Sequence, residues 1–180
     1  MIINKSLALT GSIELSGVKC HIHAMPISGA VFDEYFEPMS MAFAKLHQRG
    51  LNGLGPKVAY LMLKKEAEKI DEWELVKNGL MAEIRRLTNI LLPGPSGWET
   101  NPYQSLINQG KIIGEDQAEI DGVLVFFTLS FAVMGKKQVI AILPALEGWG
   151  FQLEYLNFTE YADSLPMSTG GDNSIYPVIT

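Results

Sequence analysis

The segment from Ile120 to Met134 constrains the fold more than any other part of this 180-residue chain, because almost every residue in it is apolar. Its large side chains recur at alternating steps of four and three residues, the spacing of one face of an α-helix. These positions are Ile120, Leu124, Phe127, Phe131 and Met134. Acidic residues precede the segment, and Gly135 with two lysines follows it, as expected at the two ends of a helix. We therefore predict a helix over residues 115–134 that is the central, most buried element of the fold.

The composition is that of a globular protein with one hydrophobic core. Apolar residues make up 47% of the chain and there is a single cysteine, which excludes a disordered chain and a disulfide scaffold. Residues 1–98 hold 11 basic and 10 acidic side chains, whereas residues 99–180 hold 3 and 10. A net charge of −6 and an acidic second half argue against nucleic-acid binding, which normally shows as a concentrated basic face.

Neither a membrane span nor an export signal is predicted. The longest apolar run, Val123 to Met134, has twelve residues, whereas a spanning helix needs about twenty. The segment Met1 to Leu9 lacks an apolar region followed by a cleavage site of small residues. We expect a cytoplasmic protein that does not bind membranes.

Residues 2–25 alternate between apolar and polar side chains, which predicts a small antiparallel β-meander. Turn signals at Thr10-Gly11-Ser12 and at Ser16-Gly17 separate its strands. The alternation places Cys20 toward the core. The same alternation places three side chains on a solvated outer face, namely Lys19, His21 and His23.

Three helices are predicted after the meander. The first begins near Pro38 and ends at Arg49-Gly50, the second runs from Pro56 to about Ile70, and the third runs from Trp73 to Leu91. The third contains Gly79, which indicates either a close approach of another group to the backbone or a bend. Beyond the central helix we predict short strands at 138–143 and 151–156 and a helix from Thr159 to Leu165, capped by Asn157 or Thr159.

These elements predict an α+β fold that is mainly α-helical, with the small N-terminal meander packed against a bundle of four to five helices. A single domain is expected over residues 1–165, with the meander at 2–25, a helical part at 31–134 and a short mixed part at 138–165. Residues 166–180 are rich in turn-forming residues and predict a mobile C-terminal tail.

No catalytic, cofactor or metal site is predicted from motifs. The chain contains no nucleophile elbow and no zinc-protease helix, and its glycine-rich stretch from Gly50 to Lys57 lacks the pattern of a phosphate loop. Its three histidines and one cysteine are too few for a zinc site. His21 and His23 would share one face of a strand and could hold a metal loosely, but no third ligand is near them, and Cys20 is expected to be a core residue.

Four carboxylates stand close together at the start of the central helix: Glu115, Asp116, Glu119 and Asp121. They could act as a general acid and base or hold a divalent cation. Acidic residues at a helix start are also expected from the helix dipole alone, and no partner base is in view, so both interpretations stay open.

Large apolar groups in predicted loops are the candidates for contact with a partner protein. The apolar end of the tail could add a strand to another chain. The candidate residues are Trp98, Trp149, Ile175, Tyr176, Val178 and Ile179.

The order of features resembles one family. A small sheet and mixed-charge helices come first, then the segments 97–102 (GWETNP), 110–116 (GKIIGED) and 123–128 (VLVFFT). This order is similar to that of the tail assembly chaperones of tailed bacteriophages and prophages. The resemblance implies a helical protein in the bacterial cytoplasm that binds the tape-measure or tube protein during assembly and has no catalytic site.

Two other hypotheses remain. The chain could be a small phage-encoded inhibitor that docks its acidic half on a host protein, or a small enzyme that uses the carboxylate cluster. Association into a homo-oligomer is also compatible with the sequence.

Overall fold

The computed structural model describes residues 6–50 and 54–167. It is an α+β fold in which 59% of the described residues are helical, so the predicted class, with helices predominating, is confirmed. The division into one domain over 1–165 and a tail stays a prediction, because most of the tail lies outside the described residues.

A five-stranded antiparallel sheet joins the two ends of the chain. Its strands lie in the order β4-β3-β2-β1-β5, so β1 is flanked by its hairpin partner and by the last strand in the sequence. The strands are β1 (Ala8–Leu15), β2 (Val18–Ala24), β3 (Thr88–Gly94), β4 (Gly97–Pro102) and β5 (Phe151–Glu154).

The predicted meander is wrong in one respect, because the turn at Thr10-Gly11-Ser12 does not exist. β1 runs straight through these residues, and only the turn at Ser16-Gly17 forms, with both residues in the left-handed region that two-residue hairpin turns need. Gly11 has a different role: a Cβ there would meet the Phe151 ring and the Gly150 carbonyl. The glycine therefore allows β5 and its entry loop to approach β1 closely.

Helices account for most of the remaining chain. They are α1 (Gly29–Glu34), α2 (Phe36–Gln48), α3 (Lys57–Lys69), α4 (Trp73–Leu75), a π-helical segment (Val76–Leu80), α5 (Met81–Arg86), α6 (Tyr103–Asn108), α7 (Gly114–Gln138), a 3-10 segment (Val139–Ile142), α8 (Leu143–Gly148) and α9 (Phe158–Ser164). The second predicted helix is confirmed as α3. The last is confirmed as α9, where Asn157 and Glu160 form a reciprocal capping box.

The central helix is confirmed as α7. Every residue from Ile120 to Ser130 is buried, and Gly135 takes a left-handed conformation (φ 71°) that breaks the helix where the sequence predicts its end. The stretch Gly114–Gly135 has the length and apolarity of a membrane span, but 61% of its most apolar window is buried inside the protein, as in the core helix of a soluble protein.

The third predicted helix is correct only as far as Arg86. Residues Thr88–Gly94 form β3, which pairs with β2 so that Ile90 lies opposite Ile22. Leu87 and Leu91 fit the three- and four-residue steps of the predicted helix by coincidence. A buried strand holds so many apolar residues that some of them fall at these steps as well. The predicted helical part at 31–134 thus contains a second hairpin, β3–β4, and the Pro-Gly-rich stretch after Leu92 holds its turn.

The strand predicted at 138–143 is also wrong. Val139 and Ile142 are buried at a step of three within a 3-10 segment that leads into α8. The strand predicted at 151–156 is confirmed in the shorter form of β5.

Two glycines allow helices to pack at very short range. A Cβ at Gly79, in the π-helical segment, would overlap the Tyr35 hydroxyl, which confirms the predicted close approach to the backbone. A Cβ at Gly122, in α7, would overlap the Pro56 carbonyl and lie 2.9 Å from the Cα of Lys57. The start of α3 therefore crosses α7 backbone to backbone.

Replacing Gly122 by alanine should destabilise the protein. Alanine in a helix interior normally gains up to about 1 kcal/mol over glycine, but here the clash with main-chain atoms should turn the change into a loss of about 1–3 kcal/mol. Urea unfolding measures this, with Gly148→Ala as the matched helical control, because a Cβ at Gly148 meets nothing within 4 Å. Equal stability of the two variants would contradict the close crossing.

Candidate protein-contact site

A groove of about 220 Å³ lies where β1, the start of α7 and the entry to β5 meet. We call it the β1 groove. Its lining residues are Ser12, Ile13, Glu14, Leu15, Pro56, Asp116, Glu119, Ile120, Val123, Trp149 and Phe151. Apolar side chains of α7 and β5 form part of its lining, and carboxylates from β1 and α7 line it as well.

The groove runs beside a strand edge that is unpaired within the described residues. β5 pairs with β1 only from Ala8 to Gly11, so Ser12–Leu15 have no strand on the side away from β2 among residues 6–50 and 54–167. In a hairpin with a two-residue turn, the residues that flank the turn exchange both hydrogen bonds, and the pattern alternates from there. Leu15 and Ile13 therefore bond to β2, and the main-chain groups of Glu14 point to the open side. Ser12 also faces away from β2, but Gly150, the residue before β5, lies beside it.

The charge of the groove is negative. Glu14, Asp116 and Glu119 line it, whereas the neighbouring Lys57 already contacts Glu115 at 2.5 Å. The hydrogen bond to Glu115 raises the pKa of Lys57, with smaller contributions from the charges of Glu115 and Glu119. The same bond lowers the pKa of Glu115. Three acidic residues thus lie at the groove, with Lys57 already paired to Glu115 and Lys19 opposite Glu14 on β2.

Trp149 is held in place by packing. Its ring meets Phe126 of α7 edge to face, with ring centroids 4.9 Å apart, and it is half-buried. A preformed aromatic wall of this kind is typical of protein contacts, because little conformational entropy is lost when a partner packs on it. Of the two predicted partner residues that the structure describes, Trp98 and Trp149, it is Trp149 that lines the groove.

The size of the groove argues for a side chain as its occupant. Small-molecule sites generally have volumes of about 300–1,000 Å³ and enclose most of the ligand. A groove of about 220 Å³ with an open strand edge at its rim is smaller and more accessible. Its dimensions fit part of a protein chain better than a free metabolite.

The four carboxylates of the predicted acidic cluster have three different settings. Glu115 is exposed and pairs with Lys57, Asp116 and Glu119 line the groove, and Asp121 is buried on another side of α7. The helix separates them because residues one or two positions apart point in different directions. A joint acid–base pair that includes Asp121 is therefore not formed.

Asp121 belongs to a buried structural cluster. Arg85 donates to its two carboxylate oxygens from Nη2 at 2.6 Å and from Nε at 3.2 Å, and the Tyr103 hydroxyl donates to it at 3.1 Å. Burial acts to lower the pKa of Arg85, but the hydrogen bonds and charge of Asp121 raise it. Burial and the nearby Asp121 charge raise the pKa of Tyr103. The cluster connects α5 and α6 to α7.

The histidines do not lie on a solvated face, so this prediction is wrong. His21 and His23 share one sheet face as expected, but α9 and the segment before it cover that face, and His23 is fully buried. His23 Nε2 contacts the Leu156 carbonyl at 2.9 Å, and the Tyr161 hydroxyl donates to the Gly11 carbonyl at 3.2 Å. Burial lowers the pKa of both histidines.

Trp98 lies on β4 and not in a loop. Its Nε1–H donates to the Pro166 carbonyl at 2.8 Å, and its ring meets His21 edge to face at 4.6 Å. Part of this side chain is therefore used within the chain itself. The other predicted contact residues, Ile175, Tyr176, Val178 and Ile179, lie outside the described residues.

Cys20 is a core residue, as predicted. Its side chain is fully buried, and burial raises the pKa of the thiol to about 11, so the reactive thiolate does not form near neutral pH. Within residues 6–50 and 54–167, no group of three or more His, Cys, Asp and Glu side chains could hold a metal ion.

The sequence did not predict the β1 groove. The groove exists because β5 ends before it reaches the hairpin turn. Local periodicity does not show how many residues of two distant segments will pair as strands. Gly11 and Gly150 are the available signal, since glycines inside or beside a strand often mark a close backbone approach.

Comparison with protein-family models, with curated proteins and with solved structures finds no match to this chain.

The buried cluster predicts that Asp121 and Glu115 contribute differently to the free energy of unfolding. Asp121→Asn should lower the free energy of unfolding by about 3–5 kcal/mol, because it leaves the Arg85 charge buried without its counter-charge. Glu115→Gln, which changes an exposed pair, should leave unfolding unchanged within error. Urea denaturation of both variants measures the difference. A small effect of Asp121→Asn would show that the Arg85 pair does not stabilise the fold.

The lowered pKa values of His21 and His23 predict that the protein loses stability in acid. Their pKa values in the folded protein lie below the ordinary value of 6.5, so below that pH the unfolded chain binds protons that the folded protein rejects. Their contribution is complete above pH 6.5 and is lost as the pH falls toward the folded pKa values. Lys19 reinforces the shift of His21, whereas Glu154 and the Leu156 carbonyl oppose that of His23.

Unfolding free energies from pH 7.5 to pH 5 should therefore fall more steeply for the natural chain than for a His21→Gln, His23→Gln variant. Titrating carboxylates contribute the same background to both proteins. Parallel curves would exclude the histidines as the cause.

Proposed function

We propose that this chain is a non-catalytic phage or prophage protein that acts by binding another protein during tail or virion assembly, in the manner of the tail assembly chaperones that it resembles. The observation that carries the proposal is the β1 groove, in which an open strand edge, an apolar floor and a fixed tryptophan lie together. Such features are used to bind a segment of another chain.

The surroundings of the acidic residues support a binding role over an enzymatic one. Glu115 and Asp121 are each engaged by a basic side chain of the same chain. A general acid or base instead needs a free carboxyl aimed at a substrate, with a second group in reach. In this proposal the bundle of four to five helices expected from the sequence is the scaffold, and the protein works in the cytoplasm of the bacterial host.

A second candidate function is inhibition of a host protein. The excess of acidic side chains in residues 99–180 favours it, because an acidic surface can dock on a basic face of a target. Both candidates use a protein contact and differ in the partner, a phage structural protein in one and a host protein in the other. The genes that flank the coding sequence separate them, since tail-tube and tape-measure genes favour assembly and short early genes favour inhibition.

Co-expression tests the proposed function directly. The chain is produced together with the tape-measure and tube proteins encoded beside its gene, and complexes are isolated by affinity and size-exclusion chromatography. We expect one of these proteins to co-elute with the chain and to stay soluble only in its presence. Failure with both tail proteins would overturn the assembly role, and a stable complex with one host protein would establish the inhibitor.

The same experiment tests the predicted tail contact. A chain that lacks Ile175–Thr180 should keep its melting temperature and bind the partner more weakly. An unchanged complex would exclude these residues as contacts, and a large fall in melting temperature would show that they contribute to the folded core.

A further inference from the structure

We infer that the β1 groove receives an extended, basic segment of the partner, which adds to the sheet as a short strand beside Glu14. The inference rests on the proposed function, because it names the kind of segment that the partner contributes. Three observations carry it: the direction of the open main-chain groups, the shape of the floor and the charge of the rim.

The strand edge supplies the main-chain contacts. Glu14 directs its N–H and C=O groups away from β2, on the side that β5 occupies further along β1, whereas Gly150 lies beside Ser12. A segment of about three residues placed there would continue the line of β5 and bond to β1 as any neighbouring strand does. An open strand edge can also pair with strands of unrelated chains, so the side chains around it must determine which segment binds.

The floor supplies a place for one apolar side chain. Ile120 and Val123 of α7 and Phe151 of β5 line the groove on the core side. Because successive side chains of a strand point to opposite faces, a residue that enters the groove has neighbours that point away from it. The partner segment should therefore carry an apolar residue between polar ones.

The rim selects a basic segment. Glu14 points to the face of β1 opposite Ile13 and Leu15, so it would lie beside the residues of the incoming strand that point away from the groove. Lysine or arginine at those positions would meet its charge, and Asp116 and Glu119 of α7 add negative charge beside the groove itself.

The same rim disfavours the two other candidate occupants. A second copy joined through this edge would bring the rim carboxylates of both copies together, which is repulsive. The chain's own residues 168–180 contain one aspartate and neither lysine nor arginine, so they offer the groove no positive charge. A basic partner segment is the occupant that complements both the edge and its charge.

Peptide binding to the full chain tests the inference. The probe is a fluorescein-labelled eight-residue peptide that alternates lysine with valine, measured by fluorescence anisotropy. The controls are a glutamate–valine peptide of equal length and a lysine–valine peptide whose alternate main-chain nitrogens are methylated on one strand edge. We expect saturable binding of the first peptide, weakened by salt, and at least tenfold weaker binding of both controls.

Paired variants separate the strand edge from the rim. Glu14→Pro removes the N–H that faces the open side, and Glu14→Ala removes only the carboxylate; proline is tolerated at such an edge position. We expect Glu14→Pro to bind the peptide at least fivefold more weakly than Glu14→Ala.

Charge reversal tests the rim. Asp116→Lys with Glu119→Lys should abolish binding. Asp33→Lys with Asp163→Lys makes the same charge change on exposed sites of α1 and α9 and should leave the affinity within twofold. If the groove reversal fails to fold, Asp116→Asn with Glu119→Gln replaces it, with a loss of about fivefold expected.

Hydrogen exchange gives a direct readout of strand addition. Exchange of the Glu14 amide should slow when the lysine–valine peptide is bound and stay unchanged with the methylated one. Equal binding of the methylated peptide, or equal affinity of Glu14→Pro and Glu14→Ala, would overturn strand addition. Equal binding of the glutamate–valine peptide would overturn the charge selection. A dimer of the natural chain that Glu14→Pro dissociates would show instead that a second copy occupies the edge.

The inference and the proposed function can fail separately. If the tail-protein complex forms but the Glu14 and rim variants do not weaken it, the function stands and the groove is not its contact. If no tail protein binds while the peptide results hold, the groove is a basic-segment site that serves another partner.

Discussion

The contact between Gly122 and the Pro56 carbonyl is the constraint on which the rest of the structure depends. It brings the start of α3 against α7 at backbone distance, which a side chain at position 122 would prevent. This crossing places Pro56 in the wall of the β1 groove and Lys57 within reach of Glu115. The orientation of α7 then follows, so its acidic first turn lies at the groove while Asp121 faces Arg85 in the interior. This crossing therefore helps to decide which acidic residues of α7 face the groove and which face the interior.

The second constraint is the shortness of β5. Proteins commonly protect open strand edges with charges or a covering element, because an edge can pair with any other chain. Here α9 covers one sheet face, and β5 covers the first half of β1. The second half is left with three carboxylates near it. These charges protect the edge against pairing with further copies of the same acidic chain, and they do not oppose a basic segment. The same negative charge therefore both disfavours pairing with further copies of this chain and favours a basic segment.

The sequence predicts those elements whose signals are local. The spacing of Ile120 to Met134 with the stop at Gly135, the helix over α3 and the cap at Asn157 depend on residues within a few positions of one another. The errors concern segments whose structure is decided by distant partners. Leu87 and Leu91 extend a helical stripe, yet pairing with β2 makes residues 88–94 a strand. His21 and His23 look solvated until α9, more than 130 residues later, folds over them. The groove follows the same rule, because it depends on where β5 ends. Trp149 is predicted as a contact residue from its type and from its position in a predicted loop.

Trp98 and the β1 groove lie at different edges of the sheet. Pro166, from which the chain continues toward Ile175, accepts a hydrogen bond from Trp98 on β4, and the groove lies beside β1 at its junction with β5. Five strands spaced by about 4.8 Å put roughly 20 Å between the outermost strands. Residues 168–180 carry no basic side chain to meet the acidic rim, so their sequence does not complement it. In the proposed complex, the apolar residues Ile175–Ile179 and the acidic groove therefore suit chemically different surfaces of a partner.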